Sequence, residues 1–254
     1  MKFAHALLVG STLALALSAC AGGQQRRGPP PKVIAAALKG APGEAQPSTI
    51  VKTEIAYARS AWEDGQHTAG LEYLAPGAVV HLPGGPSDAV TYLESLPDPA
   101  ISVQWAPRTV VMSCRGDLAV SLGRFRDQEN FVGNYVTVWK RQSDNTYKWV
   151  YEAAGRDDPQ PPPRKVIEDG DIVVTAIDSI KGLVATCPRP GDPVPQPPAN
   201  MSATDVKTAS EMSQDGTLRW RWEHLPGGAK GITVDYYYNG RWTTALQEVL
   251  ASDS

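Results

Sequence analysis

The chain has 254 residues, with 24 Lys and Arg against 27 Asp and Glu, a formal charge of -3 and 42% hydrophobic residues. This balance leaves no basic surplus to displace phosphate counterions and argues against nucleic-acid binding. Three cysteines are too few for a disulfide-dense scaffold or a cysteine zinc cluster, and 22 Pro with 23 Gly fall short of a low-complexity composition. Residues 1–19 read as a segment outside the fold. Lys2 supplies a positive start, and Ala6 to Leu17 form an apolar stretch suited to secretion but too short to span a bilayer.

Leu17-Ser18-Ala19-Cys20, followed by Ala21-Gly22-Gly23, resembles the lipobox of bacterial lipoproteins. The resemblance implies a signal peptide over 1–19, acylation of Cys20 and a membrane partner reached through that anchor, effectively permanent with several acyl chains. Ala21 stands where an Asp usually retains such proteins in the inner membrane, so the implied location is the outer membrane, facing the periplasm. Cleavage removes Lys2, which takes the formal charge from -3 to -4. Residues 20–47, rich in Gly, Gln, Arg and Pro before Val33, read as a disordered tether.

Ser48 is the expected cap of a helix from Thr49 to about Gly65, with Ile50, Ile55, Ala58 and Trp62 near one stripe. A short helix over Thr68 to Leu74, a strand over Ala78 to Leu82 and a helix capped by Ser87 or Asp88 follow. The period then changes. Ile101 to Met112, Leu118 to Arg126, Phe131 to Gln142 and Tyr147 to Ala153 read as four strands separated by turn residues. Helices first and antiparallel strands after them form an α+β plan.

That order of elements, with Ser113-Cys-Arg-Gly-Asp-Leu-Ala-Val-Ser-Leu-Gly123, Gly133-Asn-Tyr-Val-Thr-Val-Trp139 and Tyr147-Lys-Trp-Val-Tyr-Glu152, resembles the superfamily of nuclear-transport-factor-two-like proteins, ketosteroid isomerases and SnoaL-like cyclases. It is most similar to that superfamily's uncharacterised branch. The resemblance implies a cone-shaped domain over 48–158, in which helices and a curved antiparallel sheet enclose a pocket. Tyr57, Trp62, His81, Trp105, Tyr135, Trp139 and Glu152 are the candidate pocket residues. On the strand of the second motif, Tyr135, Thr137 and Trp139 share one face, and Val136 and Val138 share the other.

Isomerase-like chemistry needs a carboxylate in an apolar cavity and donors for an enolate oxygen. Glu152 and His81 are the catalytic candidates, each weighed against a structural role, and no catalytic dyad is legible. There is no Gly-x-Ser-x-Gly elbow, His-Glu-x-x-His, phosphate loop or Cys-x-x-Cys. The spacing of His67, His81 and His224 suggests no metal site, and no cofactor is implied. Arg115-Gly116-Asp117 reads as a hairpin turn.

Residues 159–164 form a Pro-rich strap, and 165–254 read as a small antiparallel β domain interrupted by the Pro-rich segment 188–198. Its expected strands include two within Asp171 to Cys187, then Asp205 to Met212, Thr217 to His224, Gly231 to Tyr238 and Arg241 to about Val249, with turns at Asp215-Gly216 and Asn239-Gly240. With Cys20 acylated, Cys114 and Cys187 remain to pair as a disulfide in an oxidising compartment.

Three functions fit. The favoured one is a non-catalytic, lipid-anchored envelope protein binding a small apolar ligand or a protein partner in its cone. The second is an isomerase or SnoaL-like enzyme using Glu152 or His81. The third is a glycan-contacting module, which requires Trp220, Trp222, Tyr236 or Trp242 in an exposed row.

Overall fold

The computed structural model describes residues 44–162, 179–189, 193–199 and 206–252, with residues 30, 33, 37 and 191 in isolation. Cys20, the signal segment, most of the tether and the expected strand at Ile172 to Ile177 lie outside the described residues. The chain divides into two units, 1–37 and 38–254, and everything below belongs to the second.

Pro47 opens helix α1 (Pro47–Asp64) where its missing N–H leaves no bond unmade, so Ser48 sits inside the helix rather than capping it. Ile50, Glu54, Tyr57 and Ala61 form its buried face, three to four residues apart. The expected stripe is therefore rotated. Ile55 is 54% and Trp62 64% exposed, because the face that fits the sheet carries Tyr57 and a hydrogen-bonded glutamate. Helix α2 (Gln66–Tyr73) starts against Asp98, whose carboxylate accepts from the backbone N–H of His67 at 2.5 Å and of Thr68 at 3.2 Å. Helix α3 (Ala89–Glu94) is capped by Asp88, which accepts from the Thr91 N–H at 2.8 Å.

The first sheet contains β1 (Leu74–Leu82), β2 (Gly85–Asp88), β3 (Gln104–Met112), β4 (Leu118–Arg126), β5 (Val132–Arg141), β6 (Tyr147–Arg156) and β7 (Lys181–Val184). Their order is β2-β1-β6-β5-β4-β3-β7. The sheet is curved but mixed, a correction to the expected antiparallel one, because β1 runs parallel to β6 and β7 parallel to β3. Strand β7 thus extends this sheet instead of joining the C-terminal strands. The second sheet is antiparallel, β11-β10-β9-β8, built from β8 (Lys207–Met212), β9 (Leu218–His224), β10 (Lys230–Tyr238) and β11 (Arg241–Leu250).

Three layers result. On one face of the first sheet, Val110, Met112, Ala119, Trp139 and Trp149 pack with Ile50, Tyr57 and Ala61 of the helices. On the other, Val111, Val120, Val136, Val138 and Tyr151 pack with Leu218, Trp220, Ile232, Val234 and Tyr236 of the second sheet. Trp220 and Tyr236 are each only 6% exposed, and Trp222 meets the His81 ring edge-on at 4.9 Å. The exposed aromatic row required for glycan contact is therefore not formed. These side chains are consumed in joining the sheets, and the Trp242 indole N–H donates to the Pro195 carbonyl at 2.7 Å.

Two similar turns meet at one end of this interface. In Ser113-Cys-Arg-Gly-Asp-Leu118 and Ser213-Gln-Asp-Gly-Thr-Leu218, the serine N–H bonds the leucine carbonyl and the serine hydroxyl accepts from the leucine N–H. The turns exchange bonds: Gln214 N–H to the Asp117 carboxylate at 2.6 Å, Arg115 N–H to Asp215 at 2.7 Å, and Cys114 N–H to the Thr217 hydroxyl at 2.9 Å. Arg115-Gly116-Asp117 is thus a docked turn. Beside it the Cys114–Cys187 disulfide joins Cα atoms 5.0 Å apart.

Candidate functional site

A change of face in β6 builds the site. Val138 pairs with Tyr151 and Trp139 with Trp149, so Val150 is an extra residue, a β-bulge. Before it, Trp149 points toward the helices; after it, Tyr151 points toward the second sheet. Glu152 then shares the helix-side face with its cross-strand neighbour Thr137. The alternation of β5 adds Tyr135 and Trp139 on that face. Tyr135 lies over Gly123, where a Cβ would stand 2.5 Å from its ring and 2.3 Å from the Ala106 carbonyl.

The cavity so enclosed measures about 490 Å³. Tyr57, Trp105, Phe125, Tyr135 and Trp139 give it aromatic walls; Thr137 and Glu152 lie on its sheet side, and Lys230 reaches it from the second sheet. Six of the seven candidate pocket residues line it: Tyr57, His81, Trp105, Tyr135, Trp139 and Glu152. Trp62 does not, because it projects from the opposite side of α1.

Sequence reasoning missed Glu54, which is 1% exposed beneath this cavity. Its carboxylate accepts from the Tyr135 hydroxyl at 2.5 Å and from the Trp139 indole N–H at 3.2 Å. Burial raises its pKa above the ordinary carboxylate value, while hydrogen bonds from Ser121, Tyr135 and Trp139 pull it down. The available signal was its place on the Ile50, Tyr57, Ala61 stripe. Glu152 is different: among the described residues no donor is bonded to its carboxylate. Burial, then the charge of Glu54, pushes this carboxyl up to about 7. The Tyr57 and Tyr135 hydroxyls are held well above their usual range, first by burial and then by these carboxylates.

His81 has a joining role. Its Nδ1 bonds the Tyr151 hydroxyl at 2.7 Å and its Nε2 bonds His224 Nδ1 at 3.0 Å, linking β1 and β6 to β9. Burial, His224 and Lys230 lower its pKa to about 4. With both ring nitrogens engaged, it is not placed for proton exchange in the cavity. The cations nearby are engaged as well. Lys230 donates to the carbonyls of Ala154 at 2.8 Å and Ala251 at 3.2 Å, and Arg156 pairs with Asp127 and Glu129, each at 2.7 Å. Among the described residues no three His, Cys, Asp or Glu side chains are grouped to hold a metal ion.

The carboxyl of Glu152 makes a signed prediction. Its pKa rises from 4.5 to about 7 on folding, so between those values the folded state keeps a proton that the unfolded state releases. Stability from this group therefore falls as pH rises through the window. His81, lowered from 6.5 to about 4, acts in the opposite sense and loses stability on acidification. The difference between Glu152→Gln and wild type isolates the carboxyl. Urea unfolding at pH 5 and pH 8 is expected to show the variant gaining at the higher pH, by at most about 3 kcal/mol and less where cavity water screens the charge. An equal difference at both pH values would contradict this.

No protein-family model and no curated protein matches the chain. Parts of it are similar to solved structures. A candidate ketosteroid isomerase from Parabacteroides distasonis ATCC 8503 aligns at 18% identity and a TM-score of 0.36, over 43% of this chain and 89% of that one. A protein of unknown function with a cystatin-like fold from Methylobium petroleophilum PM1 aligns at 13% identity and a TM-score of 0.32, over 53% and 98%. A nuclear-transport-factor-two-like superfamily protein from Salmonella enterica subsp. enterica serovar Typhimurium str. LT2 aligns at 13% identity and a TM-score of 0.29, over 49% and 99%.

Proposed function

We propose that this is a cell-envelope binding protein, anchored by lipid on Cys20 in the outer membrane facing the periplasm, whose cone holds a small molecule with a substantial apolar body. The aromatic-walled cavity of about 490 Å³ is the observation that carries the binding reading. Its concave form favours a small ligand over a protein partner. The small-small-Cys segment at Cys20 supports the anchor, and the Cys114–Cys187 disulfide agrees with an oxidising compartment. Native mass spectrometry of protein extracted from membranes tests both parts. The expected species carries acyl mass on Cys20 and releases a small molecule on denaturation; an unacylated protein with an empty cone opposes the reading.

One observation favours a second reading, proton-transfer catalysis of the isomerase kind. A carboxyl at about 7 facing an apolar cavity suits an acid-base group working near neutrality. The Tyr57 hydroxyl, high in pKa and in the same cavity, is available as a donor to a developing oxyanion. Deuterium exchange next to the carbonyl of a cyclic ketone, followed by NMR, is expected for wild type and lost in Glu152→Gln. Equal exchange in both removes Glu152 from that role.

A further inference from the structure

The cavity combines two features that a purely apolar ligand does not use. Its walls present the rings of Tyr57, Trp105, Phe125, Tyr135 and Trp139, whose faces carry partial negative charge. Its sheet side carries the Glu152 carboxyl, with no bonded donor among the described residues, and Glu54 lies beneath in hydrogen bonds to Tyr135 and Trp139. The neighbouring cations have their own partners: Lys230 is held by two backbone carbonyls and Arg156 by Asp127 and Glu129.

The geometry points to an organic cation, an ammonium group attached to an apolar body, as the occupant of the cone. This inference rests on the reading of the cone as a binding chamber and names the chemistry of what it binds. The ammonium sits against the Glu152 carboxylate and under the aromatic rings. There it relieves the repulsion between Glu152 and Glu54 and gains cation–π attraction in a site of restricted water. The apolar body takes up the remaining space beside Trp105 and Phe125. A neutral ligand of the same shape leaves the carboxylate without a counterion, and an anion adds a third negative charge. The cavity therefore discriminates by charge as well as by size.

Benzyltrimethylammonium and its carbon isostere neopentylbenzene, alike in shape and different in charge, separate these terms. Each is titrated into wild-type protein and Glu152→Gln at pH 8, with tryptophan fluorescence reporting from the walls. Wild type is expected to bind the cation at least about tenfold more tightly than the hydrocarbon. Glu152→Gln is expected to lose most of that preference, while neopentylbenzene binds it at least as tightly as wild type because no desolvated carboxylate remains in the wall, which also shows that the variant is folded. Equal or tighter binding of neopentylbenzene to wild type overturns the cation assignment and leaves the chamber standing. Undiminished cation preference in Glu152→Gln also overturns it. Failure of both probes to bind wild type overturns the chamber and the cation together.

Discussion

Thermal unfolding is expected to occur roughly 5 to 15 °C lower when the bridge between Cys114 and Cys187 is absent, either in Cys187→Ser or under a strong reductant. The bridge spans 73 residues of sequence, and the chain-entropy model assigns such a loop about 4 to 5 kcal/mol, within the usual range of about 2 to 5 for a native disulfide. Its position directs that stabilisation to the joint between layers. Cys114 sits in the turn after β3, and Cys187 ends the segment that leaves β7 for the second sheet. The Ala185 N–H bonds the Met112 carbonyl at 2.9 Å in the first sheet, and the Thr186 N–H bonds Tyr237 at 2.7 Å in the second. Reduction frees this crossing strand in the unfolded chain and leaves the folded contacts largely in place. The transition midpoint should therefore change more than the native spectrum. A melting point within about 2 °C of the oxidised protein would contradict a stabilising role.

How much of this could be read from residue order depends on whether a feature is local. Strand β4 has the expected bounds, Leu118–Arg126, and the turns at Asp215-Gly216 and Asn239-Gly240 place Gly216, Asn239 and Gly240 at positive φ. The parallel pairings of β1 with β6 and β3 with β7 join segments distant in sequence and leave no local trace. On β5 the alternation separated Tyr135, Thr137 and Trp139 from Val136 and Val138. Both faces are apolar because both are covered, so the pattern could not say which faced the cavity. The bulge at Val150 turns Glu152 toward the cavity by adding one residue to the pairing, a shift invisible in a run of aromatic and β-branched residues. Glu54 was hidden differently. A glutamate on a helix ordinarily marks the wet face, and only the acceptor demand of Tyr135 and Trp139 makes its burial favourable. Ile55 and Trp62 drew the expected stripe to the wrong side for the same reason.

Asp235→Ala is expected to cost about 3 to 5 kcal/mol, because it removes the anion from a buried pair and leaves the cation behind. Asp235 is 4% and Arg219 6% exposed. One Asp235 oxygen accepts from Arg219 at 2.6 Å and Arg221 at 3.3 Å, and the other accepts from Thr244 at 2.7 Å. Arg219 also donates to the Pro198 carbonyl at 2.5 Å, which holds the proline segment over this face of the second sheet. Without Asp235, that carbonyl and water reached by displacing the proline segment are the remaining acceptors for the guanidinium. Replacing Arg219 and Asp235 together, as Arg219→Met with Asp235→Leu, removes the two most buried charges and leaves Arg221, whose side chain is 20% exposed, to turn toward water, so it is expected to cost less than Asp235→Ala alone. The order of the two midpoints in urea is the decisive measurement. If the double variant is the less stable, attraction within the pair outweighs its desolvation. Asp235 shares β10 with Lys230, whose side chain reaches the cavity, so the same variants show how far loosening the second sheet is felt there. Binding of neopentylbenzene should weaken in Asp235→Ala only as the unfolded population grows, and should return when the protein is refolded at lower temperature.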